Sequence, residues 1–409
     1  MTSAKHETPD ALPPPTLVQD QGAFDDLLRI LDSVEEAAVD TEADSFFSYR
    51  EHVCLIQVTA GERDFVVDPL AGLDLGGLGR FLEDPAKRKV FHDGEYDVLI
   101  LKREHGFGFA NLFDTRVAAS ALGSTSPGLA AVLEDHFGVQ LDKSMQRSDW
   151  SRRPLSEAQI RYARLDTHYL LPLMRRQEAA IREAERVEVL AGECRRLEAL
   201  EPPDRAFDPD GFVRLKGARN LRPHARTALR ELFVWRDEAA RERDVPPFKV
   251  LSNNLLVALA EVLPSNARQL GRVPGLSPKI ARRVGDAVLD ALARARDLPP
   301  LKRLPRLPAK DGTDVLDEEG VELHDRLKQW RKRTAQRESM ESSLVLNRHA
   351  LLGVAGSRSR EVDALRDVDH LLDWQVERYG DELVDVVRGF ERDLAEGAVD
   401  LARRGRRRT

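Results

Sequence analysis

Four carboxylates and one phenol sit in three short clusters of this chain. They are Asp40 and Glu42 in V-D-T-E-A-D-S, Asp97 in F-H-D-G-E-Y-D, and Tyr162 with Asp166 in R-Y-A-R-L-D. Asp40 and Glu42 are two apart behind the apolar run E-A-A-V, so strand alternation points both to one face. Asp97 falls in the first turn of a helix after the strand that ends at His92, where α/β proteins build the lip of a site. Tyr162 and Asp166 are four apart on a helix and share a face. Oxygen donors of this kind suit hard divalent cations such as Mg²⁺ or Mn²⁺ rather than softer metals. If the clusters converge, a pair of such ions could align water against a phosphodiester while the phenol orients that water. Taken singly, each cluster has an ordinary reading: a surface D-x-E pair, an acid complementing a helix dipole, a tyrosine packed on a core. His92 reads as a buried hydrogen-bonding residue, not a metal ligand.

The elements that must position these groups read as α/β. Strands are expected at Glu36 to Asp40, Val53 to Thr59, Asp64 to Val67 and Lys89 to His92, with the turn Gly61-Glu62 making an antiparallel meander. Helices are expected at Leu75 to Leu82, Gly94 to His105, Asp114 to Leu122 and Gly128 to Phe137. Residues 141–154 are polar and irregular. Ser156 should open the longest helix, running through Met174 and bent or broken by Pro172, with helical sequence continuing over 176–200.

The chain has 409 residues, which calls for several domains, and hydrophobic residues make up 42%, enough for several cores. No apolar run approaches the length of a membrane span, and the first residues have no signal-peptide core. Cys54 and Cys194 give no disulfide framework or zinc pattern, so a reducing, cytoplasmic location is expected. The net charge of −7 is unevenly spread: residues 1–210 carry 24 basic and 39 acidic side chains, 211–310 carry 21 and 9, and 311–409 carry 18 and 22. An acidic module that needs cations is thus followed by a basic one able to grip a polyanion.

A shift of 95 residues superposes two later segments without a gap. Leu232 falls on Leu327, Trp235-Arg236 on Trp330-Arg331, Val250-Leu251 on Val345-Leu346, and Gly285 on Gly380. A duplicated all-helical domain is expected. The first copy holds R-V-P-G-L-S-P-K-I-A-R-R-V-G, whose Pro-Gly turn before a helix start, with Lys279, Arg282 and Arg283 close by, could hold a phosphate. In the second copy His370 replaces that glycine among Asp367, Asp369 and Asp373. The first copy is therefore expected to touch nucleic acid and the second to be chiefly structural. The layout expected is a disordered 1–20, an α/β domain over 21–200, a linker at 201–212, helical domains at 213–296 and 315–395 around a Pro-rich linker at 297–314, and a basic tail at 396–409.

Together the clusters resemble the DEDDy exonuclease family, and within it the ribonuclease D branch. The likeness runs over residues 34–175 and includes V-D-T-E, H-D-G-E-Y-D, F-D-T, L-D-K-S-M-Q-R-S-D-W, R-P-L-S-E-A-Q and Y-A-R-L-D-T-H-Y-L-L-P-L. The duplicated module resembles the HRDC domain, the first copy more closely. The resemblance implies a ribonuclease H-like α/β domain, a mixed sheet flanked by helices, followed by two all-α HRDC-like domains. It implies that Asp40, Glu42, Asp97 and Asp166 are ligands of two Mg²⁺ or Mn²⁺ ions and that Tyr162 orients the attacking water. The run D-S-F-F-S-Y-R, residues 44–50, looks more like the exosome-associated relatives, and Phe46 is a candidate for stacking on a base. Lys143 is a candidate phosphate contact.

The activity implied is 3′-5′ exoribonuclease cleavage releasing 5′-monophosphates, with tRNA precursors or other structured small RNAs as partners, by a monomer free of membranes. A DNA 3′-5′ exonuclease with the same metal site is the first alternative, and a non-catalytic RNA-binding scaffold the second.

Overall fold

A computed structural model describes residues 12–203, 206–307 and 312–399. The first unit begins with β1 (Thr16–Val18), α1 (Gln21–Ser33), β2 (Glu36–Ala43), β3 (Val53–Ala60), β4 (Arg63–Val67), α2 (Gly76–Glu83), β5 (Arg88–Phe91) and α3 (Glu95–His105). It continues with β6 (Leu112–Asp114), α4 (Thr115–Ala121), α5 (Leu129–Phe137), α6 (Glu157–His168), α7 (Leu170–Glu183) and α8 (Val187–Glu198). The six strands form one sheet in the order β1-β4-β3-β2-β5-β6. β3 and β4 run antiparallel, whereas β1 with β4, β2 with β5, and β5 with β6 are parallel. Every residue of β3, V-C-L-I-Q-V-T-A, is buried, as expected of a central strand covered on both faces. The mixed sheet flanked by helices is the architecture expected.

Several expectations are corrected. Residues 12–20 are ordered: Thr16–Val18 pairs with β4, and the Val18 carbonyl accepts from the Asp68 amide at 2.9 Å. Three residues are too few to show a period, and the same holds for β6, whose last residue, Asp114, read as the start of a helix. There Asp114 ends the strand and caps α4, accepting from the Arg116 and Val117 amides. Helix α1 also went unread, although Phe24, Leu27 and Leu31 make a buried stripe under an Asp20 cap. The helix opened by Ser156 is not the longest. It stops at Tyr169, and Pro172 falls in the first turn of α7, where its missing N–H leaves no bond unmade.

The second copy belongs to this same unit and contains α14 (Glu318–Arg337), α15 (Ser342–Val345), α16 (Arg348–Ser357) and α17 (Asp373–Ala395). Arg186, beside α8, donates to the carbonyls of Ala121 and Glu338, and to that of Ser339 at 3.4 Å. Gly123 has φ +86°, and a Cβ there would lie 2.5 Å from the Ser339 carbonyl oxygen, so only glycine allows this approach.

The other unit contains residues 43–52 and the first copy: α9 (Pro223–Glu242), α10 (Pro247–Val250), α11 (Asn253–Val262), α12 (Ala267–Leu270) and α13 (Pro278–Asp297). Its core is the aliphatic interior around Leu229, Leu232, Leu256 and Val288. Neither expected linker is free of it. Phe212 is fully buried in this core, and Leu301, Leu304 and Leu307 pack on its edge. Thr227 ties the Pro-rich stretch down, accepting from the Leu301 amide and donating to the Pro299 carbonyl. The expected tail falls mostly on residues 400–409, outside the described residues, as do residues 1–11 of the expected disordered N-terminus.

Candidate active site

The site grows from three elements of the first unit. β2 supplies Asp40 and Glu42, and α6 supplies Tyr162 and Asp166. One carboxylate oxygen from each of Asp40, Glu42 and Asp166 lies within 4.8 Å of the others. Asp97, in the first turn of α3, is buried behind them and is not part of that close trio. Its Oδ1 accepts from the Thr41 hydroxyl at 2.5 Å, yet its charge still acts on all three. A cleft of about 610 Å³ is lined by Asp40, Glu42, Tyr162 and Asp166, together with His92 and Lys143.

The electrostatics are those of a cage lacking counter-charge from the protein. Burial, reinforced by Asp97, Asp166 and Glu42, pushes the Asp40 carboxyl far above its usual range. Burial and the charges of Asp166 and Asp97 raise Glu42 to about 9. Burial raises Asp166 to about 8, with Asp97 adding to it, and Asp97 itself to about 6. Among the described residues no ion pair reaches any of the four. Like charges packed this closely in a partly dry site stay ionised together only beside a compensating cation. An all-oxygen donor set fits a hard divalent ion. Burial, then the charges of Asp166, Glu42 and Asp40, hold the Tyr162 phenol protonated well beyond its ordinary range. It can therefore donate a hydrogen bond but is a poor base.

Helix α6 is held in rotation by its opposite face. Arg164 Nε donates to Asp64 Oδ2 at 2.6 Å, His168 Nδ1 lies 2.9 Å from the same oxygen, and Thr59 donates to Asp64 Oδ1. A reciprocal cap between Ser156 and Gln159 starts the helix. Behind the Tyr162 ring lies Trp150, buried, with ring centroids 6.0 Å apart. Arg153 fastens that stretch to the sheet through two 2.6 Å bonds to Asp68 and one to the Cys54 carbonyl. Asp114 accepts from the Asp93 and Gly94 amides and so shapes the turn that presents Asp97. His92 is half-buried, bonded to the Thr115 hydroxyl, and pushed down to about 4 by desolvation, as a neutral hydrogen-bonding residue would be.

The site thus gathers the trio, Tyr162 and Lys143 around one cleft, with Asp97 in support. The other candidates are placed differently. Phe46 is 45% exposed, while its neighbour Phe47 lies under the Lys249 ammonium and Tyr49 bonds Asp237 within the second unit. Arg283 is committed to the Lys249 and Val250 carbonyls, and Arg282 to Pro278, while Lys279 is exposed at that helix start. Thr41 and the Asp64–Arg164–His168 set were not singled out from sequence. The available signal was an arginine inside a helix of the motif and an aspartate inside an apolar strand, since buried charges need partners.

Two family models match the chain: a 3′-5′ exonuclease over residues 15–178, and the HRDC domain over residues 225–300 and again over 322–387. Ribonuclease D of Pseudomonas paraeruginosa is 31% identical over 358 residues, which is 86% of this chain and 91% of that one. The exosome complex component 10 homolog of Caenorhabditis elegans is 34% identical over 75% of this chain, but the match spans only 35% of that longer protein. Among solved structures, Escherichia coli RNase D is 25% identical with a TM-score of 0.65, covering 92% of this chain and 99% of that one.

Proposed function

Because this chain belongs to the ribonuclease D family of 3′-5′ exoribonucleases, we propose that Asp40, Glu42, Asp97 and Asp166 hold two divalent cations, Mg²⁺ or Mn²⁺, for stepwise hydrolysis of RNA from its 3′ end. The observation that carries this is the convergence of Asp40, Glu42 and Asp166 within 4.8 Å, with no ion pair to any of them among the described residues. Divalent ions bound there would supply a more acidic water and neutralise charge on the scissile phosphate. Asp40, Glu42 and Asp166 face the cleft as direct ligands, whereas Asp97, with one oxygen engaged by Thr41, serves from behind. Tyr162 donates a hydrogen bond from its phenol to the attacking water and fixes its direction; Trp150 behind the ring keeps that direction constant. Lys143 contacts a backbone phosphate on the far wall of the cleft.

The substrates are structured RNAs with 3′ extensions, tRNA precursors among them. This is supported by the E. coli relative, described as an exoribonuclease involved in structured RNA processing. The enzyme acts as a cytoplasmic monomer, consistent with two buried free cysteines. Relatives that are exoribonucleases disfavour the DNA reading. The test is digestion of a 3′-extended tRNA transcript and a matched DNA oligonucleotide, with and without Mn²⁺, sized at single-nucleotide resolution. Metal-dependent, one-nucleotide shortening of the RNA is expected. Purified Asp40→Ala protein that degrades RNA at the normal rate would sink the site.

A further inference from the structure

The cleft at the carboxylates does not end there. It shares Ser126 and Ala131 with a second cleft of about 520 Å³, which in turn shares Gly123, Ser124 and Thr125 with a third of about 750 Å³. The far wall of the third is the second helical copy, through Lys332 and Gln336 of α14 and the turn Ser339 to Ser342. Each cleft is of a size that holds at least one nucleotide-sized group, roughly 300–1,000 Å³. The clefts form one trough within one unit. Its geometry is fixed by the Arg186 bonds to Ala121, Glu338 and Ser339, by the Glu341 amide on the Ser120 carbonyl, and by the close approach at Gly123.

The lining suits a polyanion with hydroxyls rather than an apolar partner. Ser124, Thr125 and Ser126 offer hydroxyls, and Arg116 and Lys332 offer charge. Of the carboxylates on this wall, Glu341 is engaged by the Ser343 hydroxyl, with Arg116 close by. Asp93, on the first cleft, lies 3.5 Å from Arg116, and Asp135 lies in the middle cleft. Lys332 is exposed and makes no ion pair among the described residues. At the corresponding position of the first copy stands Asp237, which accepts from the Tyr49 hydroxyl. The same point on the long helix is thus an acid that holds protein in one copy and an exposed ammonium lining an open trough in the other.

We propose that this trough is the track for the single-stranded 3′ segment of the RNA, and that the second copy, through Lys332, holds a backbone phosphate upstream of the scissile bond. The proposal deepens the exoribonuclease reading and rests on it for the direction of the strand. It reverses the expectation that only the first copy touches nucleic acid.

The test compares the unaltered protein with Lys332→Glu, a substitution at an exposed position that leaves folding intact. Binding of a long labelled oligoadenylate is followed by fluorescence anisotropy in EDTA across a salt series. Metal-started cleavage of a trinucleotide is measured in parallel. The expected result is binding weakened roughly 3- to 10-fold, a log–log salt slope reduced by about 0.7, and unchanged trinucleotide cleavage. Equal binding and equal slopes in the two proteins would overturn the track while leaving the nuclease reading intact. Weakened binding in a protein that never cleaves the trinucleotide would keep the track as an RNA groove and remove the nuclease reading.

Discussion

The two helical copies keep the bounds of three helices to the residue and differ in what they face. Pro223–Glu242 and Glu318–Arg337, Pro247–Val250 and Ser342–Val345, and Asn253–Val262 and Arg348–Ser357 are each exactly one 95-residue step apart. Even the helix-ending left-handed residues correspond, Leu263 with φ +52° and Arg358 with +50°. Arg236 donates to the Leu251 carbonyl at 3.0 Å, and Arg331 to the Leu346 carbonyl at 2.8 Å. What a small helical core requires has been retained: apolar residues at its centre, a guanidinium tying the short helix to the long one, caps at fixed points. What has changed lies outside that core. Asp237 has become Lys332, and Gly275 has become His370. A duplicated fold leaves its surface free to take a different partner in each copy.

The largest effect expected of any substitution separates the nuclease elements from both copies. Asp166→Ala should lower kcat by at least about a thousandfold while RNA affinity in EDTA, which the copies would still supply, stays within about twofold of normal. Tyr162→Phe should cost less, roughly a hundredfold, because it removes an orienting hydrogen bond and leaves the carboxylates in place. Single-turnover cleavage beside anisotropy measures both. Affinity that collapses with activity in Asp166→Ala would mean that the carboxylate cleft, not the copies, is the main RNA grip.

Next in size is the support of α6. Asp64→Asn leaves the buried Arg164 charge without its partner and should cost about 3–5 kcal/mol in urea unfolding. In the unaltered protein burial pushes the Asp64 carboxyl up, but His168 and Arg164 outweigh this and hold it below the usual range. A depressed folded value means that the stabilisation is fully present above the unfolded pKa, about 4, and is lost as pH falls through the lower folded one. The Asp64→Asn protein should therefore lose less stability than the unaltered one between pH 4 and more acidic conditions. Parallel acid-unfolding curves would show instead that Asp64 is not coupled to Arg164 and His168 in solution.

How much of this was legible follows the physics of each feature. The four acids and the phenol could be read because strand and helix periods fix which near neighbours share a face. That the three clusters converge could not be read from period alone; it depends on a crossover order, β3-β2-β5, that local sequence does not encode. β1 and β6 were missed because three residues carry no periodicity and take their stability from pairing. The break at Tyr169 was placed too late, since a proline disturbs the turn before it. The duplication was visible because a fixed offset in sequence becomes a fixed offset in structure. The position of the second copy against the nuclease was not, because it depends on Gly123 and Arg186, neither of which belongs to a motif.

A smaller effect tests whether the copies differ inside as well as outside. The Trp330 indole donates to Glu382 at 2.7 Å, and Arg337 closes on the same carboxylate at 2.9 Å. Ala287 stands at the matching position of the first copy, so Trp235 has no such acceptor. Trp330→Phe should therefore cost about 1.5–3 kcal/mol from the bond to a charged group, on top of a packing change common to both. Trp235→Phe should show the packing change alone, about 1 kcal/mol. Equal losses in denaturant titrations would mean that the Glu382 bond adds nothing beyond shape.

The smallest effect concerns a turn where the copies differ in sequence but share a left-handed backbone. Gly275 has φ +81°, and His370, at the same place, has +64°. A left-handed conformation costs a side-chain-bearing residue roughly 1–2 kcal/mol, and glycine almost nothing. His370→Gly should then stabilise the protein, but by only about 0.5–1 kcal/mol, because glycine also frees the unfolded chain and the ring contact with His349 is lost. Gly275→His should destabilise by about 1 kcal/mol, since a Cβ there meets only Leu255 at 3.4 Å, an ordinary contact. The exchange also separates backbone from side chain in anion binding. If the Pro-Gly turn of the first copy grips phosphate through its amides, Gly275→His keeps them in place and RNA affinity changes less than it does in Lys279→Ala. If affinity falls more in Gly275→His, the glycine serves close approach of the RNA and not the turn alone.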